Sequence, residues 1–334
     1  MTIRLSAVLI ARDEEARLPK CLPSLAEFDE IVLHDTGSSD RTLEVARAFP
    51  NVIAFGTERR EPFHFADARN LALDRATHDW IVSIDADEHL VQGSVVLIRR
   101  AIEDGDGRYA GYKLWFRFDP GRCEYPRFVV FQRSRWRWRN RVHNTLEPIG
   151  AASETPLIEG AVIEHFEPAG ERRKWREEQT FELLKIEVAE NPEHVRAWRH
   201  LGLEYFLRKD WAETIRCLKR YLAASQDSDL DRMKMAVKIA RAHEELGRLE
   251  DALEWHRKAA RMLPEHREPY WEAARALLSM GRWREAMPLL DRCLDIPRAK
   301  RPEDPFGNAE PWGDLPERAL AWCRDRAASG GAKS

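Results

Sequence analysis

Three carboxylates close an apolar run at residues 80–88, Trp-Ile-Val-Ser-Ile-Asp-Ala-Asp-Glu. A buried strand that stops at Asp85-Ala86-Asp87 presents two hard oxygen ligands at the edge of a sheet. Such ligands suit Mn2+ or Mg2+ and, through the cation, a diphosphate. Taken alone, the tripeptide also serves as a turn or a helix cap. Upstream segments carry further polar groups: Ala11-Arg12-Asp13-Glu14-Glu15, Asp35-Thr36-Gly37-Ser38-Ser39-Asp40, and Ala66-Asp67-Ala68-Arg69-Asn70.

These groups need a scaffold. Ser6–Ala11, Glu30–His34, Val52–Phe55 and Trp80–Ile84 read as short strands. Glu14–Leu25 (broken at Pro19 and Pro23), Thr42–Phe49 and Phe65–Ala76 read as helices between them. Single helices between strands require parallel pairing, hence an α/β sheet with helices on both faces. Ligands on such sheets sit beyond the carboxyl ends of the strands, where Ala11, Asp35 and Asp85 all fall. Gly111–Phe118 and Arg127–Arg133 extend the sheet in mixed or antiparallel fashion, and Trp136–Arg139 is a strand with one basic face.

From Arg172 onward the periodicity is helical. Trp198-x-x-Leu201-Gly202-x-x-Tyr205 opens a tetratricopeptide unit, whose period is about 34 residues. Second-helix signatures recur at Asp210–Thr214, Gly247–Ala252 and Gly281–Ala286, giving about three units with Gly202, Ala240 and Ala274 at the close packing positions.

The 334 residues carry a formal net charge of −3, with 43% hydrophobic and 33% charged residues, which excludes disorder and gives no reason to expect nucleic acid as partner. Arg133–Arg141 interleaves arginines with tryptophans, but it is short and isolated in a chain that is not basic. No apolar run reaches a membrane span, and the first residues read as a strand rather than a leader. Five scattered cysteines fit reduced thiols, so the expected location is cytoplasmic.

The ordered blocks Val8–Glu15, Asp29–Thr42, Ala66–Leu73 and Asp85–Glu88 resemble the signatures of family-2 glycosyltransferases of the GT-A fold, with the resemblance running over about residues 4 to 168. It implies a Rossmann-like nucleotide-sugar-binding sheet, followed here by an all-α tetratricopeptide domain. It also implies inversion at the anomeric carbon, a donor that is UDP-linked in most such enzymes, and a saccharide, lipid-linked or peptide acceptor. By that resemblance Ala11, Arg12 and Glu14 line the nucleotide end of the pocket. Asp35 contacts the base or ribose, with turn capping as its rival role. Arg69 lies near the nucleotide or diphosphate, with a structural ion pair to Asp67 or Asp35 as its rival. Asp85 reaches the ribose, Asp87 binds the divalent metal, and His165 joins the metal or diphosphate. Glu147 and His143 stand as alternative acceptor bases, since related sequences often carry Val-His-Glu where this chain has Val142-His143-Asn144.

The expected layout is a transferase domain over 1–170, a linking helix over 171–194, repeats over 195–298, a capping segment over 299–329 and a disordered tail over 330–334. The repeats would recognise acceptor or a protein partner, or form a homo-oligomer. An inactive transferase-like domain serving as an adaptor is the rival from another class. A nucleotidyltransferase is disfavoured, because Ala11–Glu15 stands where that class carries a glycine-rich phosphate loop.

Overall fold

The computed structural model describes residues 3–118, 123–151, 153–165, 171–298 and 308–330. The expected disordered tail lies, apart from Gly330, outside the described residues. The chain divides into two compact units, Met1–Leu183 and Leu184–Ser334, with the division inside the helix read as a linker.

The N-terminal unit is built on eight strands. β1 (Leu5–Ala11), β2 (Glu30–Asp35), β3 (Val52–Gly56) and β4 (Trp80–Ser83) pair in parallel in the order β3-β2-β1-β4. β7 (Cys123–Gln132) joins antiparallel to β4 and β6 (Gly111–Phe118) antiparallel to β7; β10 (Leu157–His165) lies parallel to β6, and β5 (Glu88–Leu90) caps that edge. β1 shows why its sequence is a near-continuous apolar run, broken only at Ser6. Leu5, Ala7, Leu9 and Ala11 point into one core with the short helix α1 (Leu18–Cys21) and with α4 (Ser94–Gly105). Val8 points into the other core, against α3 (Phe65–Arg75). A strand covered on both faces is apolar wherever no internal partner is at hand; buried Ser6 has one, donating to Glu30 Oε1.

The order hides a closure. β4 and β5 are joined by only four residues, Ile84–Asp87, yet four strand spacings separate them in the ladder. In a flat sheet that is roughly 19 Å, beyond the reach of a link that folds as a turn, with Glu88 N–H donating to Asp85 O at 3.0 Å. The sheet therefore curls, and the Asp-Ala-Asp turn bridges its middle to its far edge.

Several elements differ from expectation. Glu14–Arg17 is a turn, because Asp13 takes a left-handed φ of +53° and the Glu14 N–H bonds Thr42 Oγ1 at 2.7 Å instead of starting a helix. Helix α2 (Thr42–Arg47) follows Asp40, whose Oδ1 accepts the Thr42 N–H at 2.9 Å. β8 (Trp136–Arg139) leaves the main sheet and pairs with β9 (Thr145–Pro148). The Asn70 amide substitutes for a neighbouring strand: Nδ2 donates to Trp138 O at 2.9 Å and Oδ1 accepts Trp138 N–H at 3.1 Å.

The C-terminal unit begins within α5 (Glu171–Glu190) and continues as helix pairs: α6 (Val195–Leu207) with α7 (Trp211–Ala224), α8 (Asp229–Glu245) with α9 (Leu249–Met262), and α10 (Glu268–Ser279) with α11 (Trp283–Asp295). α12 (Leu315–Gly330) follows and contributes Leu320 and Cys323 to the core of the last pair. The small residues sit where close approach demands them. A Cβ on Gly202 would lie 2.5 Å from Leu218 Cδ2, and Ala240 and Ala274 are fully buried. Among the described residues no helix is long and apolar enough to cross a membrane.

Candidate active site

A cleft of about 930 Å³ opens at the carboxyl ends of β1 and β4, lined by residues of the N-terminal unit alone. One side of its mouth is stitched together by backbone and side-chain bonds. Thr36 N–H donates to Ala11 O at 2.9 Å, Asp13 N–H to Ser38 Oγ at 2.9 Å, and Ser39 N–H to Asp13 Oδ1 at 2.7 Å. Asp40 and Glu15 add reciprocal bonds, each accepting a backbone N–H from the other's loop. The loops after β1 and β2 thus behave as one rim.

Ala11, Arg12 and Glu14 line the cleft as the sequence places them. Arg12 lies 3.7 Å from Asp13, and its pKa is lowered by burial and then by the charge of Arg59. Glu14 is buried and accepts from Arg17 at 2.9 Å. Arg59, which no spacing in the sequence marked, lines this end of the cleft and is ion-paired with Glu61. Its loop reaches the site because Gly37, at φ +96°, leaves its backbone room; a Cβ there would meet Arg59 N at 3.0 Å.

Asp35 is not among the lining residues. Its Oδ1 accepts the N–H groups of Gly37 at 3.0 Å and Ser38 at 2.8 Å, the turn-capping role. Its Oδ2 takes no hydrogen bond among the described residues. His34 beside it is structural: Nδ1 donates to Ala68 O at 2.9 Å, Nε2 meets Thr57 Oγ1 at 2.8 Å, and the ring stacks on Phe55. Burial lowers its pKa.

The acidic corner is formed by Asp85, Asp87 and Glu88, each offering a carboxylate oxygen within 4.8 Å of the others. Arg69, from α3, donates from Nη2 to Asp85 Oδ1 at 2.6 Å and lies over Trp138, 5.0 Å from its centroid. The ion pair of Arg69 is therefore made not with Asp67 or Asp35 but with Asp85, inside the cleft. The β5–β10 ladder sets Glu88 opposite His165, and His165 Nε2 comes to 3.5 Å from Asp87 Oδ2. The His165 ring stacks on Phe118 at 5.0 Å. Oxygen donors with one imidazole form a set that fits Mn2+ or Mg2+. Glu88 is buried, and burial together with the charge of Asp85 pushes its pKa up against the pull of Arg127.

Glu147 and His143 are not brought here. Glu147 is exposed on β9 opposite Arg137, and His143 is exposed with a left-handed φ of +46°; neither lines the cleft. Phe116, Phe118, Tyr125 and Arg127 line it instead. The alternation on β6 puts Phe116 and Phe118 on one face and register sets Tyr125 opposite Phe116, a pairing that no local spacing reveals.

Residues 6–148 match the family model described as glycosyl transferase family 2, and residues 272–305 match that of a tetratricopeptide repeat. A tetratricopeptide repeat-containing protein of Synechococcus elongatus is 27% identical over 271 residues, 77% of this chain and 66% of that one. The lipopolysaccharide core biosynthesis glycosyltransferase LpsC of Rhizobium meliloti is 39% identical over 90 residues, 26% of this chain and 32% of that one. The crystal structure of S. aureus TarS aligns with a TM-score of 0.45 at 13% identity, over 75% of this chain and 54% of that one. The chain thus spans 66% and 32% of the lengths of the two sequence relatives. The match to glycosyl transferase family 2 thus lies within the N-terminal unit, on its curled mixed sheet, and the tetratricopeptide match lies within the helix pairs of the C-terminal unit.

Proposed function

We propose that the chain transfers a sugar from a nucleotide-diphosphate sugar, UDP-linked, to a saccharide acceptor, with inversion and with Mn2+ or Mg2+ held by Asp87 and His165. The observation that carries this reading is the approach of His165 to Asp87 across the closure of the sheet, beside Asp85 and Glu88. A bound cation would neutralise the charge that develops on the leaving diphosphate.

The chain's own residues do the rest. Asp85, fixed by Arg69, faces the ribose. Arg12 and Arg59, beside Asp13 and Glu61 respectively, place two guanidiniums at the opposite end, next to Ala11 and Glu14. Asp35, which caps the Gly37–Ser38 turn and does not line the cleft, holds the rim rather than the donor. Phe118 and Tyr125 give the acceptor an apolar wall near His165. His143 and Glu147 do not enter this reading, because neither lines the cleft. The name of the Rhizobium relative favours a saccharide over a peptide acceptor. The repeats add a surface for the acceptor or a protein partner, or for a second copy of the chain.

A thermal-shift panel of UDP-, GDP- and dTDP-sugars, with and without Mn2+, tests it. A ligand that binds the folded state raises the melting temperature by mass action. A cation-dependent rise with one nucleotide class supports the reading. No rise with any donor would favour an inactive domain acting as an adaptor.

A further inference from the structure

Glu88 has the look of a third ligand for the cation, since its oxygens lie within 4.8 Å of those of Asp85 and Asp87. Its bonds commit it elsewhere. Oε1 and Oε2 accept from Nη1 and Nη2 of Arg127, each at 2.6 Å. Oε2 also accepts the backbone N–H of Asp85 at 2.9 Å. The carboxylate side chain is 1% exposed, and the Arg127 guanidinium lies over Phe116, 4.2 Å from the ring centroid.

A planar fork bonded to both oxygens of a buried carboxylate is among the strongest polar contacts a protein makes. A cation that recruited Glu88 would have to unseat that fork and leave a guanidinium unpaired in a buried site, which is costly. All three carboxylates line the cleft together with Arg127, and both oxygens of Glu88 are taken by that guanidinium. The three carboxylates and the guanidiniums of Arg69 and Arg127 together carry a net charge of one negative, so a divalent ion meets a modest rather than a threefold negative charge.

We propose that Glu88 and Arg127 form a positioning pair: Arg127, from β7, clamps Glu88, and Glu88 holds the Asp85 N–H, so that the Asp85–Asp87 turn is set before any cation arrives. The proposal rests on the donor-and-cation reading above. It separates two roles within one acidic triplet, with Asp87 facing the ion and Glu88 facing the protein.

The experiment measures binding of Mn2+ alone to the full chain by electron paramagnetic resonance, together with kcat and donor KM. The variants are Asp87→Asn, Glu88→Gln, Arg127→Met and the double Glu88→Gln/Arg127→Met. Glu88→Gln keeps an oxygen for the Asp85 N–H but leaves the Arg127 charge unpaired, so its Mn2+ dissociation constant rises by less than that of Asp87→Asn. Asp87→Asn weakens Mn2+ binding by about 10-fold or more. Arg127→Met strands a buried charge and lowers kcat/KM by about 10- to 100-fold. The double variant recovers most of that loss, because the second charge is gone as well. Loss of Mn2+ affinity in Glu88→Gln equal to that in Asp87→Asn would overturn the proposal, and so would a double variant no better than Arg127→Met. Should Arg127→Met fail to fold, the Glu88→Gln titration decides alone. If Asp87→Asn binds Mn2+ normally, the cation reading itself fails, and the recovery in the double variant still reports on the pair.

Discussion

Arg69 illustrates how one side chain ties chemistry to architecture. It leaves α3, stacks on Trp138 and ends on Asp85. Hydrogen bonds to charged groups contribute about 1.5–3 kcal/mol. Arg69→Met is therefore expected to lower kcat/KM roughly ten- to a hundredfold, with steady-state kinetics as the check; unchanged kinetics would remove Arg69 from the site. His34 gives a pH signature. Burial holds its folded pKa below the unfolded value of about 6.5, so the folded protein binds fewer protons there. The stability it contributes is complete above that pH and is lost as pH falls through about 6.5 toward the folded value. The stability advantage of the parent over His34→Gln should therefore shrink between about pH 7.5 and pH 5.5 in denaturant titrations. An advantage that is constant or grows on acidification would contradict the neutral, hydrogen-bonded ring.

At the scale of elements, two contacts substitute for what regular pairing would supply. Asn70 bonds both backbone groups of Trp138 and so fastens β8 to α3. Asn70→Ala leaves these groups unpaired and should cost about 1–3 kcal/mol, read as a lower denaturation midpoint. Gly202 lets α6 approach Leu218 of α7, and Gly202→Ala should cost about 1–3 kcal/mol by overpacking. The parallel strands were legible because burial on both faces forces apolar runs such as Leu5–Ala11. The repeats were legible because identical packing positions recur, as at Gly202 and Ala240. Helix α4 drew no expectation, although Val95, Ile98 and Ile102 mark its buried face. Asp85–Glu88 read as polar groups beyond the strand Trp80–Ile84, whereas Glu88 already begins the next strand. Arg59, Phe118 and Arg127 reach the cleft through register and loop approach, which are long-range facts. His143 and Glu147 looked catalytic from local sequence, and the β8–β9 ribbon carries them elsewhere.

For the whole molecule, each compact unit owns its apolar core: β1 and its neighbours in the first, α10, α11 and α12 in the second. Units with separate cores break two-state behaviour, so calorimetry should resolve two unfolding transitions. Mn2+ with the bound donor should raise one of them, and Gly202→Ala should lower the other. A single transition moved by both would refute this. The curl of the sheet sets a further condition, one of timing. Strand β5 is made within residues 88–90, but the strand it pairs with is not complete until His165. Closing so long a loop is slow and entropically costly. The match to the family model ends at residue 148, before that strand begins. A nascent or truncated chain ending there carries Asp85, Asp87 and Arg69 in full yet has no partner for β5 and no imidazole for Asp87. The pairing of β5 and the approach of His165 to Asp87 are thus late products of assembly, absent from any chain interrupted before its last strand.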